Sequence, residues 1–286
     1  CTNIVLDLVF VVAFHWGVAG VAYATILSQF ASAVLVLIVL TRADAAYGVK
    51  WRQIRIRRGM LNRIMAIGFP SGIQQAITSF SNVFVQSYIN YFGSACMAGW
   101  SSYNKLDSYI SVPLQAIALA STTFVGQNYG SGDLERTRKG VRQALGMSLV
   151  VTAALGVLVM IFSGPCLRLF TSDAEVIQYG TRFILIISPF YIMSCFNQIY
   201  AGALRGVGNA KMPMVIMLGS FVVFRQIYLL VNRVAFDNSF IGVSLAYPMG
   251  WVVCSILLFL CYRSSVICHP EKAKPAPKEA EEVAAE

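Results

Sequence analysis

The chain has 286 residues, a formal net charge of +9, 57% hydrophobic residues and 12% charged residues, with a mean hydropathy of +0.66. Soluble domains carry about 25% charged residues, so this composition excludes an ordinary soluble domain and indicates that lipid supplies much of the solvent. The basic residues lie in short loops between apolar segments, which argues against a nucleic-acid-binding face.

Hydrophobic runs follow one another along the whole chain. A bilayer crossing takes about 20 helical residues, and every run but the first is long enough. The first is too short, so we expect the earlier residues of its helix to precede Cys1. The runs cover residues 1–14, 17–40, 64–92, 95–125, 143–164, 176–204, 212–235 and 240–262. Inside three of them, Pro113, Pro189 and Pro248 predict kinks.

Two polar segments complete the chain. Residues 41–63 form a basic, partly amphipathic segment, which we predict to be a cytoplasmic connector that lies along anionic headgroups. Residues 263–286 are rich in Pro, Ala and charge after the last apolar run, which predicts a disordered cytoplasmic tail.

Alternate loops differ strongly in basic residues. Seventeen of the 22 Lys and Arg residues fall on one side if every run crosses, and Arg168, Arg182 and Arg233 lie on the other. The positive-inside rule makes the basic side cytoplasmic.

The two ends of the chain resemble each other. A shift of 225 residues places Gly17 on Gly242 and Asp7 on Asn232. Six crossings separate the two copies, so both have the same orientation. This arrangement predicts a parallel six-helix repeat and two lobes around a central cleft.

Three predicted helices carry polar side chains at helical spacing. These stripes favour a shared polar cavity, although bonds between packed helices are the alternative. They consist of Gln75, Ser79, Asn82, Gln86 and Asn90; of Ser101, Asn104, Ser108, Ser111 and Gln115; and of Tyr191, Ser194, Gln198 and Arg205.

Three ionisable residues lie at membrane depth: Lys105, Asp107 and Arg225. A charge there costs about 2.5–3.5 kcal/mol, so each should face protein or water and have a partner. For Asp107 two interpretations stay open, a role in the cavity or in ion coupling and a structural ion pair with Arg225 or Lys105. The candidate cavity residues are therefore Gln75, Asn82, Gln86, Asn104, Lys105, Asp107, Gln198 and Arg225.

Several kinds of functional site are not found in the sequence. There is no phosphate-binding G-x-x-x-x-G-K-[ST] loop and no potassium-filter sequence. The two histidines, His15 and His269, lie at membrane edges, and the seven cysteines have no metal-ligand spacing. We therefore expect neither catalytic residues, metal, cofactor nor ATP hydrolysis, and favour a secondary transporter over an enzyme.

Four motifs carry a resemblance to the multidrug and toxic compound extrusion (MATE) family. Residues 3–7 (NIVLD), followed by 17–25 (GVAGVAYAT), are similar to the end of that family's first lobe, and 68–72 (GFPSG) to a helix start in its second lobe. Residues 121–130 (STTFVGQNYG) and 202–208 (GALRGVG) are similar to its cytoplasmic turns after the eighth and tenth helices.

The resemblance implies a twelve-helix, two-lobe transporter, of which this chain would be the C-terminal two-thirds with about eight helices, one of them partial. Residues 1–40 would be the last two helices of the N-terminal lobe, and 64–262 the six-helix C-terminal lobe. It also implies a monomer in the bacterial cytoplasmic membrane that exports amphipathic or cationic drugs in exchange for Na⁺ or H⁺.

The chain departs from the family at its coupling sites. The first-helix aspartate of the family would precede Cys1. Some members carry a glutamate in the seventh helix and an acid in the tenth. The seventh-helix position is Thr78 here, and run 176–204, which would contain the tenth helix, has no acid inside the membrane. Asp107 is therefore the best acid in this lobe. The alternative function is a flippase for lipids or lipid-linked oligosaccharides, for which Lys105 and Arg225 are the available cations.

Overall fold

The computed structural model describes residues 2–42, 58–269 and the isolated positions 48, 50, 55, 56 and 271. Eleven α-helices make up most of the described residues: α1 (Thr2–Leu8), α2 (Gly17–Arg42), α3 (Arg58–Asn90), α4 (Ser94–Gly130), α5 (Leu134–Ile161), α6 (Ser163–Arg168), α7 (Ala174–Ile187), α8 (Tyr191–Gly206), α9 (Lys211–Leu218), α10 (Arg225–Ala235) and α11 (Phe240–Arg263).

Six segments of the described chain are long and apolar enough to cross a membrane. They are Gly17–Arg42, Ser94–Gly130, Leu134–Ile161, Ala174–Gly206, Lys211–Ala235 and Phe240–Arg263. Helix α3 has 33 residues but is not among them, because glutamine, asparagine and serine dilute its apolar residues. The prediction of an all-α polytopic membrane protein is confirmed.

Short side-chain caps fix where three helices begin. Asp133 accepts a hydrogen bond from the backbone N–H of Arg136 at 2.8 Å, and Asp173 accepts one from Glu175 at 2.9 Å. Ser239 accepts one from Gly242 at 3.1 Å. Such caps satisfy N–H groups that the first helical turn leaves unpaired. For this reason α5 begins nine residues before the apolar run at 143, and its first two turns are basic.

Two membrane segments are interrupted near their middle. A 3₁₀ turn at Ser188–Phe190 contains Pro189 and joins α7 to α8, and a π-helical stretch at Gly219–Phe224 joins α9 to α10. Pro113 and Pro248, which also predicted kinks, lie inside uninterrupted α-helices. Of the three prolines, Pro189 alone coincides with a change of helix type.

Two sequence motifs have other positions relative to the helices than we predicted. The GFPSG motif at 68–72 does not open a helix, because α3 already begins at Arg58. Residues 121–130 are not a turn but the last turns of α4, and the chain reverses at Ser131–Asp133 instead. Gly132 has φ +81° there, and Gly208 has φ +85° after α8. Glycine adopts these left-handed values without steric cost.

The chain divides into two compact units, Cys1–Met60 and Leu61–Glu286. In the first, α1, a π-helical turn at Val9–Ala13 and α2 form a hairpin, in which Phe10 stacks on Trp16 with ring centroids 5.2 Å apart. In the second, α10 and α11 form the corresponding hairpin. Phe240, the first residue of α11, falls two positions before Gly17, the first residue of α2, under the 225-residue shift, so the second helices of the two hairpins begin at nearly corresponding positions.

Two buried apolar clusters hold the second unit together. One contains Trp100, Phe183 and Val243 and lies towards the turns that precede α4, α7 and α11. The other contains Ile199, Leu204 and Leu258 and lies towards the basic end of α5. Between them α4 and α8 approach closely, because Gly202 and Gly206 of α8 face the backbone and threonine side chain of α4. Small residues permit this approach in membrane helices.

Residues 1, 43–47, 49, 51–54, 57, 270 and 272–286 lie outside the described residues, and with them most of the predicted connector and tail. At the edges of these gaps, α2 ends at Arg42 and α3 begins at Arg58, and residues 264–269 follow α11 as turns. The assignment of 1–40, 41–63, 64–262 and 263–286 to lobes, connector and tail stays a prediction.

Candidate functional site

A cavity of about 820 Å³ opens between α3, α4, α8 and the stretch that joins α9 to α10. Polar side chains come from three of these helices, because the predicted stripes turn partly towards one another. They are Ser71, Gln74, Gln75 and Thr78 of α3, Gln115 and Thr122 of α4, and Gln198 and Arg205 of α8. The volume and the mixed lining are typical of sites for small organic molecules.

Arg205 is the charged residue of this cavity. One of its amino groups lies 3.8 Å from the sulfur of Met217, and its buried Nε has no hydrogen-bond partner. Gln74 donates to the same sulfur at 3.0 Å. No acidic side chain lines the cavity among the residues that the structure describes. The charge of this guanidinium group is therefore not paired with a carboxylate of the cavity lining.

A second, smaller pocket of about 190 Å³ lies next to the first. Thr78 and Phe221 line both, so the two spaces are neighbours. The smaller pocket contains Asn82, Asn104, Asp107 and Arg225 together with four further aromatic side chains, Trp100, Tyr103, Tyr247 and Trp251. Here helices α3, α4, α10 and α11 bring together Asp107 and Arg225, two of the three ionisable residues that the sequence placed at membrane depth.

Asp107 is held by hydroxyl groups. Tyr103 donates to its Oδ1 at 3.2 Å, Ser111 donates to its Oδ2 at 3.2 Å, and Tyr191 donates to Oδ1 from α8. The two tyrosine oxygens lie 3.1 Å apart. Hydrogen bonds of this kind orient a carboxylate and lower the cost of burying it.

Arg225 is buried, with 3% of its surface exposed, and is bound by neutral groups. It donates to the hydroxyl of Ser81 and to Oδ1 of Asn82, both at 2.9 Å, and lies over the ring of Tyr247 with 4.8 Å to the centroid. Within the described chain neither Arg225 nor Lys105 forms an ion pair with Asp107. The interpretation of Asp107 as an ion-pair partner is therefore not supported by the geometry.

Two candidate residues lie outside both cavities. The ammonium group of Lys105 lies over the ring of Phe170, 5.0 Å from its centroid. Gln86 donates to Asn90 one turn further along α3 at 3.0 Å. Of the eight predicted residues, Gln75 and Gln198 line the larger cavity, and Asn82, Asn104, Asp107 and Arg225 line the smaller one.

The sequence did not predict the aromatic part of the site. Tyr103, Tyr247, Trp100 and Trp251 resemble ordinary core residues in the sequence, and only the fold brings them around Asp107 and Arg225. Gln74 was also missed, because its neighbour Gln75 fits the stripe. The one available signal for Tyr103 was its position four residues before Asp107, which places both on one helix face.

No group of three or more His, Cys, Asp or Glu side chains that could hold a metal ion is found in the part of the chain that the structure describes. The polar groups of the larger cavity are instead amides, hydroxyls and a guanidinium group, and the smaller pocket adds the single carboxylate of Asp107.

Comparisons with known proteins agree with this fold. The family model described as MatE matches residues 70–230. The probable multidrug resistance protein YpnP of Bacillus subtilis is 28% identical over 266 residues, which are 91% of this chain and 58% of that protein. The probable multidrug resistance protein NorM of Thermotoga maritima is 29% identical over 207 residues, 70% of this chain and 43% of that protein.

Among solved structures, an outward-facing multidrug resistance MATE family transporter of the MOP superfamily superposes with a TM-score of 0.86 at 23% identity, over 95% of this chain and 61% of that one. This likeness shows the fold. The chain spans about half the length of the curated relatives it matches. Because the family model matches more than half of its residues, this chain belongs to the MATE family and is a multi-pass protein of the cell membrane.

Proposed function

We propose that this chain contains a substrate-binding lobe of a secondary transporter that exports amphipathic or cationic drugs in exchange for Na⁺ or H⁺. The observation that carries the proposal is the cavity of about 820 Å³, which is lined by amides, hydroxyls and apolar side chains from α3, α4 and α8. Such a lining accepts molecules that have an apolar body and a few polar groups. The multidrug resistance proteins among the relatives support this function.

We further propose that Asp107 couples ion movement to transport. It is a carboxylate inside the membrane, and three hydroxyl groups orient it. It lies in a pocket that shares Thr78 and Phe221 with the larger cavity, so a change in its charge can alter the side chains that contact a substrate. Acidic residues in this kind of setting are typical of ion and proton pathways.

The cavity can be tested by filling it. Ala116 lines the large cavity, whereas Ala120, one turn further along α4, lines a separate pocket of about 260 Å³ between α4 and α5. Ala116→Trp should weaken the binding of ethidium, an amphipathic cation, about tenfold or more in a fluorescence titration of the purified protein. Ala120→Trp is the matched control and should bind ethidium normally. Equal binding by both variants would show that the drug site lies elsewhere.

The coupling role has its own test. Asp107→Asn removes the charge and keeps the size of the side chain, and it should reach the membrane in normal amount. In everted vesicles that contain the full-length transporter, this variant should lose the drug transport that depends on an ion gradient. Separate Na⁺ and H⁺ gradients applied to the unmodified protein identify the ion. Full gradient-driven transport by a well-expressed Asp107→Asn variant would contradict the proposal.

A flippase for lipids or lipid-linked oligosaccharides is the second candidate, and one observation favours it. Arg205 contributes a guanidinium group to a cavity that has no acid among its described lining residues, and the oxygens of a pyrophosphate would bind such a group. If the protein is a flippase, the unmodified chain should bind a lipid pyrophosphate but not ethidium. Arg205→Gln should then abolish the binding of the lipid pyrophosphate. Tight ethidium binding that survives Arg205→Gln would exclude this candidate.

A further inference from the structure

A separate pocket of about 230 Å³ lies at the basic end of the second unit, away from the two cavities described above. It is formed where the first turns of α5 meet the last turns of α11 and the middle of α8. Three arginines line it, Arg138 and Arg142 from α5 and Arg263 from α11. Three aromatic side chains, Tyr200, Phe259 and Tyr262, form another part of the wall. The pocket therefore combines a cationic side with an apolar side.

Arg138 organises the pocket. Its Nε and Nη2 donate to the carbonyl oxygen of Ile267 at 3.0 and 2.7 Å, and Nη2 also reaches the carbonyl oxygen of Cys268 at 3.3 Å. These bonds hold the turn after α11 against α5, and Ile267 is fully buried. As a result, the edge of the pocket is fixed by hydrogen bonds between residues that are 129 and 130 positions apart.

The other two arginines have no carboxylate partner within the described ranges. Arg142 is exposed and forms no hydrogen bond there, and Arg263 lies over the ring of Phe259, 5.8 Å from its centroid. The nearby acids are already engaged. Glu135 pairs with Lys139 at 2.7 Å, and Glu271 contacts the ring of His269 at 2.9 Å. The positive charge of the pocket is therefore not neutralised by these acids.

The aromatic wall is compact. Tyr200 stacks on Tyr262 with ring centroids 4.7 Å apart, and its ring lies 5.9 Å from that of Phe259. The pocket is at the ends of two membrane-crossing helices, on the side that the distribution of basic residues makes cytoplasmic. Aromatic side chains at this level are typical of contacts with lipid just below the headgroups.

We propose that this pocket binds the phosphate of an anionic phospholipid in the cytoplasmic leaflet. The unpaired guanidinium groups of Arg142 and Arg263 would bind phosphate oxygens, and the rings of Tyr200 and Phe259 would contact the glycerol and the start of the acyl chains. Basic pockets between membrane helices on this side bind lipid headgroups in this way. A free phosphate ion has the same oxygens but no apolar part, so it would leave the aromatic wall uncovered.

Lipid binding to the purified chain in detergent tests the proposal. Phosphatidylglycerol should raise the melting temperature and appear as a bound species in native mass spectrometry, whereas phosphatidylcholine and inorganic phosphate at equal concentration should not. In the double variant Arg142→Gln, Arg263→Gln the affinity for phosphatidylglycerol should fall about a hundredfold or more, because each guanidinium group would lose a hydrogen bond to the charged phosphate, at a cost of about tenfold or more in affinity. Since Arg142 forms no hydrogen bond within the described chain, the single variant Arg142→Gln should keep the fold and still lose about tenfold or more in affinity for phosphatidylglycerol.

The matched control removes the same charge next to the pocket. Arg136 and Lys139 lie on α5 at the same end but do not line it, so Arg136→Gln, Lys139→Gln should bind phosphatidylglycerol normally. If this control loses as much affinity as the pocket variant, the lipid responds to overall charge and the proposal is wrong. It is also wrong if inorganic phosphate reproduces the thermal shift or if Arg142→Gln has no effect.

Discussion

Tyr191 donates a hydrogen bond to the carboxylate of Asp107, although the two residues are 84 positions apart and lie on different membrane segments. Tyr103, on the same helix as Asp107, donates to the same carboxylate and is also hydrogen-bonded to the hydroxyl of Tyr191. Asp107 is thus tied to α8 directly after the 3₁₀ turn at Ser188–Phe190, where the segment changes its helix type. A change at the carboxylate can therefore reach α8, which carries Gln198 and Arg205 into the large cavity.

The first prediction concerns this bond. Tyr191→Phe removes one of three hydroxyl donors to Asp107, and a hydrogen bond to a charged group contributes about 1.5–3 kcal/mol. We therefore expect the concentration of coupling ion at half-maximal drug transport to shift about tenfold or more in vesicles, at an unchanged amount of protein in the membrane.

Tyr179→Phe is the control for that experiment. Tyr179 lies on α7 and packs against Phe240, with ring centroids 5.6 Å apart, and its hydroxyl forms no hydrogen bond within the described residues. This variant should leave the ion dependence unchanged. Identical ion dependence of the Tyr191 and Tyr179 variants would mean that the contact with Asp107 has no part in coupling.

The second prediction concerns charge reversal at membrane depth. In the pair Asp107→Arg, Arg225→Asp, both new side chains would face unsuitable partners. An arginine at position 107 would meet tyrosine hydroxyls in a confined pocket, and an aspartate at position 225 would be too short to reach Ser81 and Asn82. Unpaired buried charge is strongly destabilising, so the amount of folded protein should fall severalfold on size-exclusion chromatography.

An exposed ion pair gives the matched reversal. The double variant Glu135→Lys, Lys139→Glu exchanges the two partners of an ion pair on the surface of α5. The side chain of Glu135 is 78% exposed and that of Lys139 is 70% exposed. Exposed pairs contribute about 0–1 kcal/mol, so this protein should fold normally. If the reversal at positions 107 and 225 is tolerated equally well, the two residues interact more directly than their hydrogen bonds indicate.

The third prediction concerns the contact between α4 and α8. A Cβ atom at Gly206 would lie 2.8 Å from the backbone oxygen of Thr122 and 2.7 Å from Cγ1 of Val125, so Gly206→Ala must push the helices apart. We expect a loss of about 1–3 kcal/mol in unfolding free energy, measured by chemical denaturation in mixed micelles.

Gly126→Ala is the control on the facing helix. A Cβ atom there would meet the backbone oxygen of Gly206 at 3.5 Å, which is an ordinary contact. Alanine also has the higher helix propensity, by about 0.8–1.0 kcal/mol, so this variant should be as stable as the unmodified protein or more stable. A greater loss in Gly126→Ala than in Gly206→Ala would contradict the packing.

The fourth prediction concerns orientation. In a background without cysteine, single cysteines at Gly48 and Ser131 should be protected from an impermeant maleimide added outside intact cells, because both lie in basic connections. A cysteine at Ser172, in the exposed segment before α7, should react. Labelling of Gly48→Cys from outside would mean that the connector at 41–63 is not cytoplasmic.

The sequence by itself determined the class of protein and the approximate positions of the six segments that are apolar enough to cross a membrane. A low charge content, long apolar runs and the asymmetry of basic residues are properties of composition and order, and the bilayer imposes them on any chain that crosses it. The same holds for the stripe that contains Gln75 and Asn82, since residues three or four apart always share a helix face. Helix ends at Asp133, Asp173 and Ser239 were less clear, because polar caps extend helices beyond the apolar runs.

Only the tertiary structure decided which polar residues meet. Lys105 and Asp107 are two positions apart in the sequence, yet one lies over Phe170 and the other is bound by Tyr103 and Tyr191. Partners come from segments 84 to 144 positions away, and helix spacing within one segment carries no information about them. Which helices pack side by side decides whether a buried charge is bound by an opposite charge or by neutral hydroxyl and amide groups. In this fold, neutral groups bind both Asp107 and Arg225.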